Sequence, residues 1–400
     1  MKSTIVAAAM THVGNVRDHN EDAYVADADE GVFVVCDGMG GHAAGEVASA
    51  LGVRITQEHW MSAATQRAAA DWAAASTLEA RRTLLTAVKA GVMAAHRAIC
   101  DQATEDPTKR GMGTTFTGLV VAGGDAIIAH AGDSRAYLVR GGIAMQLTED
   151  HTLLARLLAA GLPMAEGQDI HRWKGVITNA LGFGDDTKVI TFIVPLSDGD
   201  KLLLCSDGVS EYVGEAEVGQ VLASQLSPAR AAQRLVELAL ERGGEDNATA
   251  LVIKVIEAGE SQVPAAQRQR DDEILGLCPL LEDLSPQQRL RALRIATNRD
   301  FVAGDVLPEA AMGSRVAWIL MDGAVVIGGQ TEDTGTLLYP EALLGQGPPR
   351  KADALAVAVA EVRAKAIRAD DFLELAGEDP DLAEPMYAAL AKLIGKALAG

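Results

Sequence analysis

The feature that most restricts this chain is a succession of short β-branched runs with little helix between some of them. They occupy 32–36, 117–121, 127–130, 136–139, 189–194, 201–205 and 250–255, most bounded by Gly, Asp or Asn, as strands should be. Consecutive strands without intervening helices argue against βαβ repeats. They predict antiparallel sheets with helices packed on them, an α+β arrangement. Residues 5–9 read as a first strand, not a signal peptide, because the apolar stretch is short and runs into a polar motif at Gly14. Helices are expected over about 45–60, over 76–102 with Ser76 and Glu79 as a capping box, and over 227–242.

The 400 residues suit two domains. Residues 258–272 are polar and aperiodic and read as a linker between a unit at 1–257 and another at 273–400. In the second, Ser285-Pro286 opens a helix with Ser as N-cap and Pro at the first helical position. Short strands with Gly-rich turns follow over about 301–368, then helices at 370–376 and 381–398. Asp322-Gly323 suits a hairpin turn between 318–321 and 324–327. In the last helix Leu382, Met386, Leu390, Leu393 and Leu398 read as core.

Charge excludes one class of partner. The net charge is −20 and both portions are acidic, so nucleic-acid binding has no electrostatic footprint. No apolar run approaches the ~18 residues of a membrane span. Cys36, Cys100, Cys205 and Cys278 lack zinc-ligand spacing, and a chain this long does not need disulfides, which together predict a reduced cytoplasm.

Two segments share one design. The run 32–36 ends in Asp37-Gly38, and 202–205 ends in Ser206-Asp207-Gly208. Each puts a carboxylate at the mouth of a buried strand, with Gly allowing a sharp turn. Two such strands side by side would bring Asp37 and Asp207 together, and like charges at close range need a compensating cation. Carboxylates, carbonyls and water suit hard ions such as Mg²⁺ or Mn²⁺. Further acids accumulate in loops at Glu21-Asp22, Asp133 and Glu245-Asp246.

Together these stretches resemble the metal-dependent (type 2C, PPM) protein phosphatase family, in its bacterial branch. The matching residues are 14–22, Asp37-Gly38-Met39-Gly40-Gly41-His42, Gly111-Met112-Gly113-Thr114-Thr115, Ala131 to Arg135, Ser206-Asp207-Gly208 and Asp246-Asn247. The resemblance covers about 1–257 and implies a four-layer αββα sandwich. It implies that Asp37 bridges two Mn²⁺ or Mg²⁺ ions, that the Gly38 carbonyl contacts one, and that Asp207 and Asp246 complete the other. Glu21 and Asp22 would act through water as an outer layer, and Asp133 with Asp207 would hold a third, weaker ion. Arg17 would bind phosphate through its planar fork. Two metals can polarise a shared water for in-line displacement, so Cys36 and Cys205 read as small buried hydrophobes, not nucleophiles.

The chain departs from the family at two places. Eukaryotic members carry His after the Asp-Gly pair as the proposed general acid; here Met39 cannot give a proton. His42 and His151 are nearby candidates, with a structural role expected for both. Asn179 stands where relatives often have Arg, within residues 152–185, which would form the variable flap beside the site.

The segment 273–400 is similar to a cyclic-nucleotide-binding domain, a small β-roll with flanking helices, on 301–307 and on 317–326. Its phosphate cassette would be Gly345-Gln346 to Arg350. Gln replaces Glu there, and Pro348 and Pro349 remove amide donors a phosphate would want. The expectation is a degenerate domain for dimerisation or docking, with cyclic-nucleotide gating as the alternative. For the whole chain the expectation is hydrolysis of phosphoserine and phosphothreonine in proteins, opposing a Ser/Thr kinase. The competing class is a pseudophosphatase that binds phosphoproteins without turnover.

Overall fold

The computed structural model describes residues 2–40, 44–75, 77–159, 173, 175–184, 187–225, 227–259, 265–311, 313–345 and 354–399. The chain divides into two compact units, Met1–Gln262 and Val263–Gly400. Among the described residues no helix is long and apolar enough to cross a membrane.

The first unit contains strands β1 (Thr4–His12), β2 (Asp22–Asp27), β3 (Val32–Met39), β4 (Gly113–Thr114), β5 (Phe116–Ala122), β6 (Asp125–Ala131), β7 (Arg135–Arg140), β8 (Ile143–Gln146), β9 (Ile190–Pro195), β10 (Lys201–Cys205) and β11 (Ala248–Glu257). One antiparallel sheet runs β1-β11-β10-β7-β8. The other runs β2-β3-β5-β6-β9, with β4 on β3. Helices α1 (Ala44–Trp60), α2 (Ala63–Ala74) and α3 (Leu78–Glu105) cover the second sheet. A short helix α4 (Leu153–Ala159) lies off the sheets in sequence, and α5 (Asp207–Ser210) caps β10. Helices α6 (Glu215–Ser224) and α7 (Pro228–Glu241) cover the first sheet. The layers are helix, sheet, sheet, helix. Strands covered on both faces need no polar side, so β5 is buried throughout and Leu202–Cys205 of β10 likewise.

Under the second sheet, Trp60 is fully buried, meets Phe116 edge-on at 5.8 Å and donates its indole N–H to Val88 O at 2.9 Å. Small residues leave room for it. A Cβ on Gly118 would come within 3.0 Å of the Trp60 ring. Val139, Leu203, Leu222 and Leu235 form the corresponding core under the first sheet.

The structure corrects several expectations. The third helix is capped by Thr77, whose hydroxyl accepts from Ala80 N, so Ser76 is not its cap. Helix α2 was not predicted. Its apolar stripe is mostly alanine around Trp72, too weak a pattern to stand out. The expected linker 258–272 turns helical from 265, within α8 (Ala265–Leu277). Ile274 and Leu275 bury there, and Asp271 takes a bidentate pair from Arg363 at 2.8 and 2.6 Å. Polar composition hid a helix that one buried turn and an ion pair hold.

The second unit also contains helix α9 (Pro286–Ala292), whose Ser285–Gln288 capping box forms as the sequence predicts. Strands β12 (Ala296–Phe301), β13 (Val306–Leu307), β14 (Ala310–Ala311), β15 (Ser314–Asp322), β16 (Val325–Ile327), β17 (Gln330–Glu332), β18 (Leu337–Leu338), β19 (Ala356–Ala358) and β20 (Val362–Arg368) precede α10 (Ala369–Glu378) and α11 (Pro380–Ala399). They form two sheets, β12-β20-β15-β14 with β18 on β15, and β13-β19-β16-β17. Asp322-Gly323 is therefore not a hairpin turn: β15 and β16 belong to different sheets, and the dipeptide is the corner between them. Gly323 sits at φ 82°, where a Cβ would lie 2.3 Å from Glu361 O. Trp318, Leu320 and Tyr339 fill the space between the sheets, and the Tyr339 hydroxyl donates to Leu307 O and accepts from Ala356 N. Leu382, Met386 and Leu390 are core, as expected.

Candidate active site

The antiparallel register of β2 and β3 sets Asp22 directly opposite Asp37. Like charges facing each other across a strand pair are destabilising. Two glycines allow the backbone to close around them. A Cβ on Gly38 would lie 2.1 Å from Gly45 O, and one on Gly208 would lie 2.0 Å from Asn247 O. Thr114 and Thr115 then hold Asp37 by its backbone. Asp37 N donates to Thr115 Oγ1 at 2.9 Å, and Thr114 Oγ1 donates to Asp37 O at 2.9 Å. This gives the Gly-Met-Gly-Thr-Thr stretch a physical role.

Asp207 comes from the other sheet, at the first turn of α5. The two Asp-Gly strands are not neighbours in one sheet, as the sequence suggested. They belong to sheets that face each other, and sandwich packing brings their ends together. Asp246 precedes β11, and two asparagines stitch its loop to the 14–22 loop. Asn15 Nδ2 donates to Leu240 O and Gly243 O, both at 2.9 Å. Asn247 Nδ2 donates to Val13 O at 2.8 Å and His19 O at 2.9 Å, while its Oδ1 accepts from Glu21 N at 2.7 Å. Sequence reasoning missed the roles of Asn15 and Asn247. An Asn flanking a turn is the only signal, and it is common in loops.

The resulting cluster is electrostatically costly. Burial first, then Asp22, Asp207, Asp133 and Asp246, push the Asp37 carboxyl well above the usual range. Burial and Asp246 raise Asp207, and a hydrogen bond with the Asp37 carboxyl relieves part of that. Asp22 rises to about 7, chiefly by burial, although Thr249 and Ser206 hydroxyls donate to its Oδ2 at 2.5 and 2.8 Å. Asp133 also rises to about 7, by burial and then Asp207. Glu21 is raised by burial, offset by Arg17 and by a backbone donor at Gly45, the start of α1. Asp22 Oδ1 and Asp207 Oδ1 are sealed from solvent with no hydrogen-bond partner. Buried, unpartnered carboxylate oxygens are costly. Oxygen donors of this kind fit a hard divalent cation. Among the described residues, no three His, Cys, Asp or Glu side chains already converge as a cage for one ion.

Arg17 stands at the exposed rim, and its Nη2 donates to Asp246 Oδ2 at 2.6 Å. Arg135, in the Ala131–Arg135 stretch, grips Asp150 with two bonds at 2.8 and 2.6 Å. Cys36 and Cys205 are fully buried. Burial pushes both thiols up, Cys205 to about 12, so neither is a thiolate at neutral pH. Met39 ends β3. His42, Gln346 and Arg350 fall outside the described residues; Gly345 ends the turn Pro340–Leu344 with φ 66°.

Comparison with known proteins adds an independent line. The family model described as protein phosphatase 2C matches residues 8–248. The serine/threonine phosphatase stp of Listeria innocua is 34% identical over 247 residues, covering 61% of this chain and 93% of that one. Among solved structures, PppA of Pseudomonas aeruginosa matches with TM-score 0.53 and 33% identity over 64% of this chain and 99% of its own. The catalytic domain of the serine/threonine protein phosphatase PstP, solved in complex with two manganese ions, matches with TM-score 0.51 and 35% identity over 63% and 99%.

Proposed function

Because the chain belongs to the protein phosphatase 2C family, we propose that it is a metal-dependent protein-serine/threonine phosphatase whose first unit carries the reaction. The observation that carries the reading is the acidic cluster itself. Asp22, Asp133, Asp207 and Asp246 all make Asp37 harder to charge, and Asp22 Oδ1 and Asp207 Oδ1 are sealed without partners. Divalent cations would let such a cluster stay ionised at neutral pH.

In this reading Asp37 and the Gly38 carbonyl, with Asp207 and Asp246, hold two Mn²⁺ or Mg²⁺ ions. Glu21 and Asp22 orient water from the outside, and Asp133 with Asp207 serves a third, weaker ion. Bound there, such ions would offset the carboxylate charge and would supply Lewis acidity toward a water and the phosphate. Asn247 and Thr115 fix the backbones of Glu21 and Asp37, so the carboxylates are held in place before substrate arrives. Arg17, at the rim, can turn from Asp246 to the phosphate, gripping two oxygens with its fork. All the expected metal acids are present, which favours turnover over a pseudophosphatase. Substrates are phosphoproteins made by a Ser/Thr kinase. Four free cysteines suit a reducing cytoplasm.

The second unit, from α8 onward, is in our reading a degenerate cyclic-nucleotide-binding-like β-roll used for docking or dimerisation. Its two-sheet roll with flanking helices supports the likeness, and an interior filled by Trp318 and Tyr339 supports the degeneracy. Cyclic AMP or cyclic GMP that raised the melting temperature or changed activity would overturn that second reading.

The primary test is hydrolysis of a phosphothreonine peptide by the full chain with Mn²⁺, with EDTA, and after Asp207→Asn. Activity should require Mn²⁺ and vanish in the variant. Wild-type protein inactive with every divalent ion tried would overturn the assignment.

A further inference from the structure

The turn Gly132-Asp133 links β6 to β7 and carries one acid of the cluster. Asp133 is only 6% exposed. Gly132 sits at φ 118°, with Thr115 side-chain atoms where a Cβ would be, and past Asp133 the turn is held from within: Thr115 Oγ1 and Ser134 Oγ are 2.7 Å apart, and Thr117 Oγ1 donates to Ser134 O at 2.9 Å.

The Gly132 side of the turn is held by a clasp from residue 151. His151 N donates to Gly132 O at 2.7 Å, and Gly132 N donates to His151 Nδ1 at 3.1 Å. A backbone N–H can only donate, so Nδ1 is the acceptor and the ring carries its proton on Nε2. Asn179 sets the ring's place. Its Nδ2 donates to the same Nδ1 at 2.8 Å and to Lys188 O at 2.8 Å, and its Oδ1 accepts from Lys188 N at 3.0 Å. His130 packs against the other side of the ring, with centroids 4.8 Å apart, and is itself held by Thr117 and Glu149 O. Below this, Thr178 N donates to His151 O at 2.7 Å, and Leu153 N to Val176 O at 2.8 Å. The chain therefore leaves toward α4 and returns at Val176 through one clasp, and that clasp ends on the Asp133 turn.

We propose that Asn179 is a positioning residue for Asp133: it fixes the His151 ring, and the ring fixes the Gly132-Asp133 turn against the acidic cluster. The inference rests on the reading that Asp133 serves a divalent cation. A residue that only closes the segment 153–176 would support all cation sites equally. A residue that holds Asp133 should support one.

The test is Mn²⁺ titration of the full chain, followed by loss of the free-ion electron paramagnetic resonance signal, with melting temperature recorded for each variant. Asp133→Asn should abolish the weakest class of bound Mn²⁺. Asn179→Ala should weaken that same class about tenfold and leave the tighter classes unchanged. His151→Asn puts an amide oxygen near the Nδ1 position and should retain the weak class, whereas His151→Gln should lose it; this pair decides the matter if Asn179→Ala does not fold. Wild-type Mn²⁺ binding in Asn179→Ala and His151→Gln overturns the proposal, as does equal weakening of all classes. If Asp133→Asn leaves every class intact, the cation reading of Asp133 is what falls, whichever way Asn179→Ala behaves.

Discussion

Asp22→Asn should stabilise the protein when divalent ions are removed, and by an amount that depends on pH. In the folded chain the Asp22 carboxyl is raised from 3.8 to about 7. A carboxyl whose folded pKa lies above its unfolded one favours folding while protonated. That contribution is whole below about pH 4 and is gone once pH passes about 7. The shift of about 3 units, at about 1.4 kcal/mol each, sets the loss at about 4 kcal/mol. Asn keeps the oxygen that accepts from Ser206 and Thr249 and carries no charge. It also relieves Asp37, for which Asp22 is the largest raising influence after burial. Urea denaturation in EDTA at pH 7.5 should therefore find the variant about 2–4 kcal/mol more stable than wild type. The gap should close toward pH 4. Saturating Mn²⁺ should shrink or reverse it, because bound cations turn the same charge into an asset. A variant no more stable than wild type at pH 7.5, or a gap of equal size at pH 4, would refute the argument that this acid is strained by its neighbours.

Three further outcomes are expected. Arg17→Ala should lower kcat/KM for a phosphothreonine peptide by about 10–100-fold, the worth of a charge-assisted hydrogen bond, without weakening Mn²⁺ binding measured by titration. Gly208→Ala should cost about 1–3 kcal/mol in thermal unfolding, because its methyl would meet Asn247 O at 2.0 Å and backbone must move. In the second unit, Asp379→Ala should cost about 3–5 kcal/mol, read by urea denaturation, since it strips the carboxylate from Arg291, which is 7% exposed and bonded to it at 2.8 Å.

How much of this could be read from the chain divides by range. The strands at 32–36, 117–121 and 201–205 were legible because β-branched runs bounded by Gly and Asp state their own conformation locally. The Ser285 cap was legible for the same reason, since its partner Gln288 is three residues away. The pairing of Asp37 with Asp207 was legible because each follows such a run, whereas Asp246 joined them only through the family resemblance. Helix α2 and the start of α8 were not, because their apolar stripes are too thin to rise above polar or alanine-rich surroundings. The corner at Gly323 was misread as a hairpin, because an Asp-Gly pair permits either and only the sheets on each side choose.

The sequence by itself thus determined most long strands of the first unit, though not β2 or β8, since a β-branched run states its conformation within a few neighbours. Only the tertiary structure decided that Asp22 faces Asp37 across a strand pair, and that Asp207 reaches them from the opposing sheet. It also decided that Asn15 and Asn247 tie two loops far apart in the chain, and that Asn179 and Gly132 meet at the His151 ring. These are contacts between distant segments. They are fixed by how two sheets and their helices bury apolar faces against each other, and no local pattern encodes that choice.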